Sequence, residues 1–479
     1  MRKRSLWWSA AAALAVAVAL AGCGSTTYFA GRVLPPSGIP NRVLIAIQNT
    51  SAFSKGSLQI VDAFYDIRYA FNNINKTFAI SGYSGALPLS IQNMPEEQVG
   101  AVYGYGDGSF SVINYQKETS GNSFGSSQLA GLSSSIFISR SQSYLFAANQ
   151  SAHILTVVDS STGTAVPYQL GLPGVYRVSV NPGGSLALAF VENSNYLYYP
   201  VKLTAQQTLT YSGGPSTWPT GAVDCEPQNG PRWCLFQAHD PSTGKPLNFD
   251  RPVKAVFSPD GGTAYILSCG PECGGSVSSV TPMSVAPMIF LPGQLSGQLP
   301  TQAALASSTI PIPGGASNAL VDSSTLYVVG QQLQADGLFA GNLTAVNLGN
   351  NTVTSSTPIS DGEPGATSRM ILADDNTLWI GMTKCDNGYR AANDLPYGCL
   401  TMYNTANNAV TMIEPYLGDA TGIADVEGLH KIYVAEGGQV YIYSTKDGSS
   451  INNQYVTVTG TASDVAYMDG TTDANNTVY

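Results

Sequence analysis

Six of the seven cysteines form three pairs that are close in sequence, and this spacing bears on redox chemistry. The pairs are Cys225 with Cys234, Cys269 with Cys273, and Cys385 with Cys399. An even number of thiols in an oxidising compartment is typical of disulfides, each closing one short loop. The segment CGPEC (269–273) could instead contribute two ligands to a zinc ion. Neither a second close pair nor a histidine cluster accompanies it, so the sequence favours disulfides and predicts no metal site.

The seventh cysteine, Cys23, follows an apolar run near the start of the chain. Three basic residues (2–4) precede the stretch from Leu6 to Leu20, and two small residues separate that stretch from Cys23. The run of about 15 residues is short for a ~30 Å hydrocarbon core. The pattern is typical of a cleaved secretion signal, with an uncleaved anchor as the alternative. Residues 20–23, LAGC, resemble the bacterial lipobox, which implies that the Cys23 thiol carries a lipid.

These features predict the cellular location of the protein. We expect residues 1–22 to be removed, leaving a lipidated linker over residues 23–40 and a membrane partner held through that lipid. Gly24 stands where some lipoproteins have Asp, and the resemblance then implies the outer membrane, on its periplasmic side or at the cell surface. The mature chain would hold 18 Lys and Arg against 31 Asp and Glu, a formal charge of −13. This acidic balance argues against a nucleic-acid partner.

A short strand motif recurs along the chain after residue 40. Most copies begin with a small residue, alternate apolar positions, and end in Asp, Asn, Thr or Ser before turn-forming residues. The alternation predicts a half-buried strand, and the terminal polar residue predicts a turn. The eight copies begin at Gly56, Gly108, Ala152, Ser194, Gly275, Gly341, Gly398 and Gly438.

Two more strands joined by a tight turn precede most copies, as in VKAVFSPDGGTAYILS (253–268) and YRVSVNPGGSLALAFV (176–191). A fourth strand follows, as in NQYVTVTG. Four antiparallel strands, repeated at roughly 40 to 65 residues, predict an all-β protein with a β-propeller fold. VFSPDGGTAYIL and LTVVDSSTGTAV resemble strands of YVTN-type and WD40-like blades. The resemblance covers most of the chain from about residue 40 and implies the fold rather than the function.

The two chain ends predict how the ring closes. The N-terminal NRVLIAIQN and GSLQIVD lack a first strand, whereas the C-terminal ASDVAYMDG is a first strand without the rest of its unit. Together they complete one shared blade, which gives eight blades in a single domain over residues 41–479. Seven is the alternative, because the SNYLYYP copy is weak and precedes a long gap. We interpret that gap, about 211–250, as a loop insertion closed by Cys225 and Cys234.

Three neighbouring units have enlarged loops between their second and third strands. These are SCGPECGG in the fifth unit, QQLQADGLFAG in the sixth and TKCDNGYRAANDLPYGC in the seventh. Equivalent loops of a propeller emerge on one face, so we expect a contact surface there, joined by the insertion. The predicted contact residues are Trp218, Trp233, Asp386, Tyr389, Arg390 and Asp394.

The chemistry-bearing residues favour a binding module over an enzyme. The three histidines lie in different units, and no nucleophile elbow or phosphate-binding loop is present, so we predict no catalytic residue and no cofactor. DGTTDANNT, which contains Asp469 and Asp473, could offer oxygen ligands to calcium, but it lacks the alternation of a calcium loop. We therefore expect a cell-envelope lipoprotein that binds a protein or glycan. The alternatives are a lactonase-like hydrolase, which the propeller resemblance suggests, and a structural assembly platform.

Overall fold

The computed structural model describes most of the chain from residue 35 onward. The described residues are 35–51, 55–67, 79–203, 222–226, 232–240, 243–285, 288, 305–306, 308–333, 335, 339–359, 367–385, 397–413, 418–451 and 455–473. Cys23 and the predicted signal therefore lie outside them. So do Trp218, Asp386, Tyr389, Arg390 and Asp394.

Thirty-two strands occupy the described residues. The first two are β1 (Arg42–Gln48) and β2 (Gly56–Asp62). Blades 2 and 3 contain β3 (Pro88–Met94), β4 (Val99–Gly104), β5 (Ser109–Asn114), β6 (Thr119–Phe124), β7 (Ser135–Ile138), β8 (Tyr144–Asn149), β9 (Ile154–Asp159) and β10 (Val166–Gly171). Blades 4 and 5 contain β11 (Val175–Val180), β12 (Ala187–Val191), β13 (Leu197–Leu203), β14 (Ala222–Glu226), β15 (Arg232–Gln237), β16 (Pro252–Phe257), β17 (Thr263–Ser268), β18 (Ser279–Ser284), β19 (Leu305–Ala306) and β20 (Ile310–Pro311).

The remaining strands build blades 6 to 8 and return to the start of the chain. They are β21 (Asn318–Asp322), β22 (Thr325–Leu333), β23 (Phe339–Asn347), β24 (Thr352–Pro358), β25 (Thr367–Ala373), β26 (Thr377–Cys385), β27 (Tyr397–Asn404), β28 (Ala409–Ile413), β29 (Ala420–Val426), β30 (Lys431–Glu436), β31 (Gln439–Ser444) and β32 (Thr461–Tyr467). Short 3-10 helices occupy Pro95–Glu97, Gly270–Cys273 and Asp374–Asn376.

These strands form eight four-stranded antiparallel blades in a ring, which confirms the eight-bladed β-propeller. Within each blade the strands follow chain order from the centre outward, apart from the closing blade and from blade 4, where β15 lies inside β14. The single bridges Gln59–Ala79 and Val440–Val456 stand at the fourth-strand positions of blades 1 and 8. Apolar side chains from adjacent sheets pack together between the blades, as in the cluster of Phe236 and Ile266 from blades 4 and 5.

Blade 1 closes the ring as the sequence predicts. Strand β1 lies between β2 and β32, so the innermost strand of this blade comes from the C-terminal end of the chain. Arg42 reinforces the junction, because its guanidinium contacts Asp469 at 2.6 Å and Glu118 at 3.1 Å. All three side chains are largely buried. Because the C-terminal strand β32 pairs with the N-terminal strand β1, neither of the two strands exposes an unpaired edge to the other.

The third strand of blade 5 begins later than predicted. The motif occupies residues 275–281, but β18 is Ser279–Ser284. Asp250 explains the difference, because its Oδ2 accepts hydrogen bonds from the backbone N–H groups of Ser276 at 2.8 Å and Val277 at 2.7 Å. These bonds hold the start of the motif in the loop, so pairing with β17 begins at Ser279.

The segment predicted as a loop insertion in blade 4 contains two strands. Strand β15 pairs with β13 and serves as the fourth strand of the blade, while β14 pairs with β15 and adds a fifth. The loop interpretation was wrong here because Trp233, Leu235 and related residues supply the apolar pattern that a fourth strand buries. Cys225 lies directly opposite Cys234 in this hairpin, and the two form a disulfide.

Trp233 does not belong to an exposed contact surface. Its side chain is only 6% exposed, because it lies between blades 3 and 4. The indole packs edge-on against the rings of Tyr144 and Phe146, with centroids 5.6 and 6.2 Å away. Its Nε1 donates a hydrogen bond to Asp159 Oδ2 at 3.3 Å. The tryptophan therefore stabilises the packing of two blades.

Candidate functional site

One register position recurs on all eight innermost strands and faces the central channel. In six of these strands the pairing register shifts directly before this position. In the other two strands, the N–H groups of Ser134 and Ser317 donate to the carbonyl oxygens of Ala148 and Val329. These two residues are the pairing partners of the next residues, Ser135 and Asn318, so the strand bulges in the same way. We call these eight residues the channel ring. In blade order from 1 to 8 they are Asp464, Ser90, Ser135, Arg177, Lys254, Asn318, Arg369 and Gly422.

The channel ring carries more positive than negative charge. Arg177, Lys254 and Arg369 are its basic members, and Asp464 is its one acidic member. The whole chain has a formal charge of −10, so the sign of the ring is opposite to that of the protein. A cluster of one sign inside a protein channel concentrates ions of the other sign. The ring is therefore a candidate site for an anion.

Arg369 and Asp464 form a buried ion pair across the ring. Arg369 Nη2 lies 2.5 Å from Asp464 Oδ2, and the same oxygen accepts the backbone N–H of Ile91 at 2.7 Å. The pair links blade 7 to blade 1 over the ring position of blade 8, which is Gly422. A Cβ on Gly422 would collide with Asp464, whose Cα would lie only 2.7 Å away. Glycine therefore leaves the space through which the two charged groups meet.

Lys254 is buried in the wall of the channel. Its Nζ donates a hydrogen bond to Asn318 Oδ1 at 2.7 Å, which links blade 5 to blade 6. Burial lowers the pKa of Lys254 well below its ordinary value, and the positive charges of Arg177 and Arg369 lower it further. An anion placed beside this amine would reverse part of that effect, because it favours the protonated form.

Arg177 reaches from blade 4 toward the same region. Its Nη1 donates to the carbonyl oxygen of Val253 at 3.1 Å, directly before Lys254 in the chain. Among the residues that the structure describes, no carboxylate forms an ion pair with Arg177. A backbone carbonyl accepts from one side of the guanidinium, so the other donors remain able to meet a ligand.

Two cavities meet the channel ring from opposite faces of the propeller. We call the face at which the innermost strands begin the upper face. The upper cavity, of about 540 Å³, is lined by hydroxyl-bearing residues such as Ser90, Ser135 and Thr461, and by Arg369. The lower cavity, of about 410 Å³, is lined by Lys254 and by the ends of the innermost strands. The ring thus separates an upper cavity from a lower one.

The C-terminal segment after β32 borders the lower cavity. Arg140 Nε and Nη2 both contact Asp473 Oδ2 at 2.6 Å, and Arg140 Nη2 also contacts Glu96 at 2.9 Å. Burial raises the pKa of Asp473, and Arg140 opposes that shift. Asp469 pairs with Arg42 in the closing blade. The carboxylates considered above for calcium are therefore both in contact with arginines.

A second group of carboxylates lies between blades 7 and 8. Burial, followed by the charge of Asp374, raises the pKa of Asp425 to about 8. Asp374 accepts the backbone N–H of Gly428 at 2.7 Å, and Asp375 contacts His430 Nδ1 at 2.9 Å. In the part of the chain that the structure describes, no group of His, Cys, Asp or Glu side chains has an arrangement that could hold a metal ion.

The strand ends that flank the enlarged loops of blades 5 to 7 lie on the upper face. Each loop connects a second strand to a third, and the second strands end opposite the starts of the innermost strands, as in Ser268 paired with Pro252. Cys269 and Cys273 form a disulfide in the blade 5 loop. Cys399 is also disulfide-bonded, whereas the side chain of Cys385 lies outside the described residues. The upper cavity opens on this same face.

The sequence contains a signal for the channel ring that motif reading missed. Arg177, Lys254 and Arg369 occupy the same column when the first strands YRVSV, VKAVF and SRMIL are aligned. The column could not be recognised as a group from the sequence, because its members are far apart in the chain. The repeated bulge brings them to one level.

The fold has counterparts among solved structures. One is the dihydro-heme d1 dehydrogenase NirN in complex with DHE, with a TM-score of 0.52 and 11% identity, over 91% of this chain and 77% of that one. The periplasmic gluconolactonase PpgL of Pseudomonas aeruginosa has a TM-score of 0.41 and 14% identity, over 89% and 98%. The Cps50 (Swd1) β-propeller domain of Myceliophteria thermophila has a TM-score of 0.43 and 12% identity, over 76% and 97%.

At such low identity these structures carry no information about function, because one fold hosts many functions. No protein-family model matches the sequence, and the search of curated proteins found no match. Within the described residues, no helix has the length and apolar character needed to cross a membrane.

Proposed function

We propose that this protein is a ligand-binding β-propeller of the cell envelope and that its central channel binds a small anion. The observation that carries the proposal is the channel ring, in which Arg177, Lys254 and Arg369 face one channel together with a single carboxylate. Charge-assisted hydrogen bonds to an anion are stronger than neutral ones, and they strengthen further when water is excluded. The lower cavity has a volume within the ordinary range for small-molecule sites.

The cellular location of the protein is part of the same proposal. Cys23 would carry a lipid and hold the propeller at the bacterial outer membrane, outside the cytoplasm. The two disulfides Cys225–Cys234 and Cys269–Cys273 support an oxidising compartment, since such bonds are rare in the cytosol. Metabolic labelling with a radioactive fatty acid tests the anchor. Incorporation that disappears in Cys23→Ser supports it, and equal incorporation in both proteins contradicts it.

Binding of simple anions to the mature domain tests the channel. The probes are inorganic phosphate, acetate and citrate, with glycerol as the neutral comparison, and the readout is isothermal titration calorimetry at low salt. We expect at least one anion to bind and Arg177→Gln to weaken it about tenfold or more, because a charge-assisted hydrogen bond is lost. Lys117→Gln, at an exposed turn in blade 2, is the matched control and should bind as the parent does. Equal binding by all three proteins would place the anion outside the channel.

A protein or glycan partner on the upper face is the second candidate. The strand ends that flank three enlarged loops lie on the face where the upper cavity opens, and this favours it, since binding residues concentrate on loops held by a rigid scaffold. A variant in which residues 386–396 are replaced by a Gly-Ser linker tests this role. Loss of a co-purifying envelope component, with anion binding intact, supports it, and unchanged partners count against it.

A further inference from the structure

The lower cavity has a charged end and an apolar body. Lys254 and Asn318 form the charged end, where the amine and the amide are joined by a hydrogen bond of 2.7 Å. Most of the remaining wall is apolar, from five neighbouring blades. The apolar residues that matter here are Met94, Phe137, Val180, Phe257, Leu320 and Val321.

We propose that the lower cavity takes an amphipathic organic monoanion, such as a carboxylate with a hydrocarbon or aromatic body. Its anionic head would lie at Lys254 and Asn318, and its body would contact the apolar wall. This inference rests on the proposed function, because it assigns the ligand class of the same channel. The apolar wall favours such a ligand, because binding there removes the apolar surface of both the ligand and the wall from water.

The wall of the lower cavity supports an apolar ligand body. The lower cavity presents two phenylalanines, Phe137 and Phe257, together with aliphatic side chains. Gln92 and Asn93 also line this cavity, but their amide groups already donate to the carbonyl oxygens of Ile138 and Tyr467. A sugar acid would therefore place hydroxyl groups against apolar side chains, which is costly.

The outer rim of the lower cavity argues for a single anionic group. Asp473 and Glu96 both line this rim and hold Arg140 between them. A second carboxylate at the far end of the ligand would meet two acidic side chains whose one cation is already engaged. A monoanion avoids this repulsion, because its only charge lies at the inner end near Lys254.

Binding should also take up a proton. Burial and the neighbouring arginines lower the pKa of Lys254, and an anionic head beside the amine would raise it again. The bound form then holds more protons than the free form. Affinity is therefore expected to be highest below the pKa of the free amine and to fall as the pH rises through and above it.

The test uses linear monocarboxylates from butanoate to dodecanoate, with inorganic phosphate and 1-octanol as comparisons. Affinity is measured by calorimetry at several pH values. We expect each added methylene to strengthen binding about three- to fourfold until the cavity is full. Lys254→Met keeps the side-chain volume and should weaken octanoate at least tenfold while leaving 1-octanol unchanged. Lys117→Met is the matched control and should behave as the parent.

Asn318→Asp provides a second variant, should Lys254→Met fail to fold. It places a carboxylate beside Lys254 with little change of shape, so octanoate binding should weaken at least tenfold. If phosphate binds through Arg177 but chain length has no effect, the inference about the lower cavity is overturned and the proposed function stands. If neither phosphate nor any carboxylate binds, both are overturned. Octanoate affinity that is equal in the parent, Lys254→Met and Asn318→Asp would overturn the assignment of the head group.

Discussion

The ion pair between Arg369 and Asp464 offers a sharp stability test of the channel ring. We consider Arg369→Met, Asp464→Asn and the double variant. Asp464→Asn keeps an oxygen that can accept the N–H of Ile91, now 2.7 Å from the carboxylate, while removing the negative charge. Each single change leaves one member of the pair without its partner, whereas the double change removes both charges together.

The expected magnitude follows from the burial of the two groups. Arg369 and Asp464 have side chains that are 9% and 2% exposed, and their nearest atoms are 2.5 Å apart. Breaking a buried pair by removing one partner costs about 3–5 kcal/mol. We expect about 3 kcal/mol for Asp464→Asn, at the lower end, because Arg369 also borders the upper cavity and can be solvated there. The double variant should lose clearly less than the sum of the two single losses.

The assay is urea unfolding followed by tryptophan fluorescence. Trp379 is fully buried in blade 7, so its emission reports the loss of packing near the pair. We expect a coupling free energy of about 2 kcal/mol between the two positions, within the range found for contacting groups. Strictly additive losses would refute the claim that these side chains interact across the ring.

Two further predictions concern residues near this pair. Gly422→Ala should destabilise the protein by about 1–3 kcal/mol, because the new Cβ would overlap Asp464. Urea unfolding measures this loss, and an unchanged unfolding midpoint would contradict the close approach of Gly422 to Asp464. The pKa of Asp425 is raised to about 8, so its protonated form stabilises the fold below about pH 4, and that contribution is lost as the pH rises toward and through 8. Asp425→Asn should therefore raise the melting temperature more at pH 8.5 than at pH 5, and an equal change at both would contradict the shifted pKa.

The propeller itself was predictable because its signals are local. Each third strand has its own alternation and terminal turn residue, and the unfinished units at the two ends indicated the blade that joins β32 to β1. The cysteine pairs at 225 and 234 and at 269 and 273 were also readable, because each spans a short loop. Short-range patterns of this kind can be recognised in the sequence without knowledge of the tertiary structure.

The channel ring was not predicted because its members depend on register. Arg177, Lys254 and Arg369 come from three different blades, and only a bulge repeated before each of them brings them to one level. A shift of one residue would turn each side chain to the other face of its strand. Trp233 was misassigned for a related reason, since the pairing of β15 with β13 decides that its ring is buried.

The most direct measurement of the central claim is an anomalous-scattering map of a crystal soaked in selenate. We expect a selenium peak beside Arg177 or Lys254, placed so that the selenate oxygens accept hydrogen bonds from those side chains, and no such peak in a Lys254→Met, Arg177→Gln crystal. A channel without selenium in the parent protein, under conditions in which anions bind in solution, would contradict it.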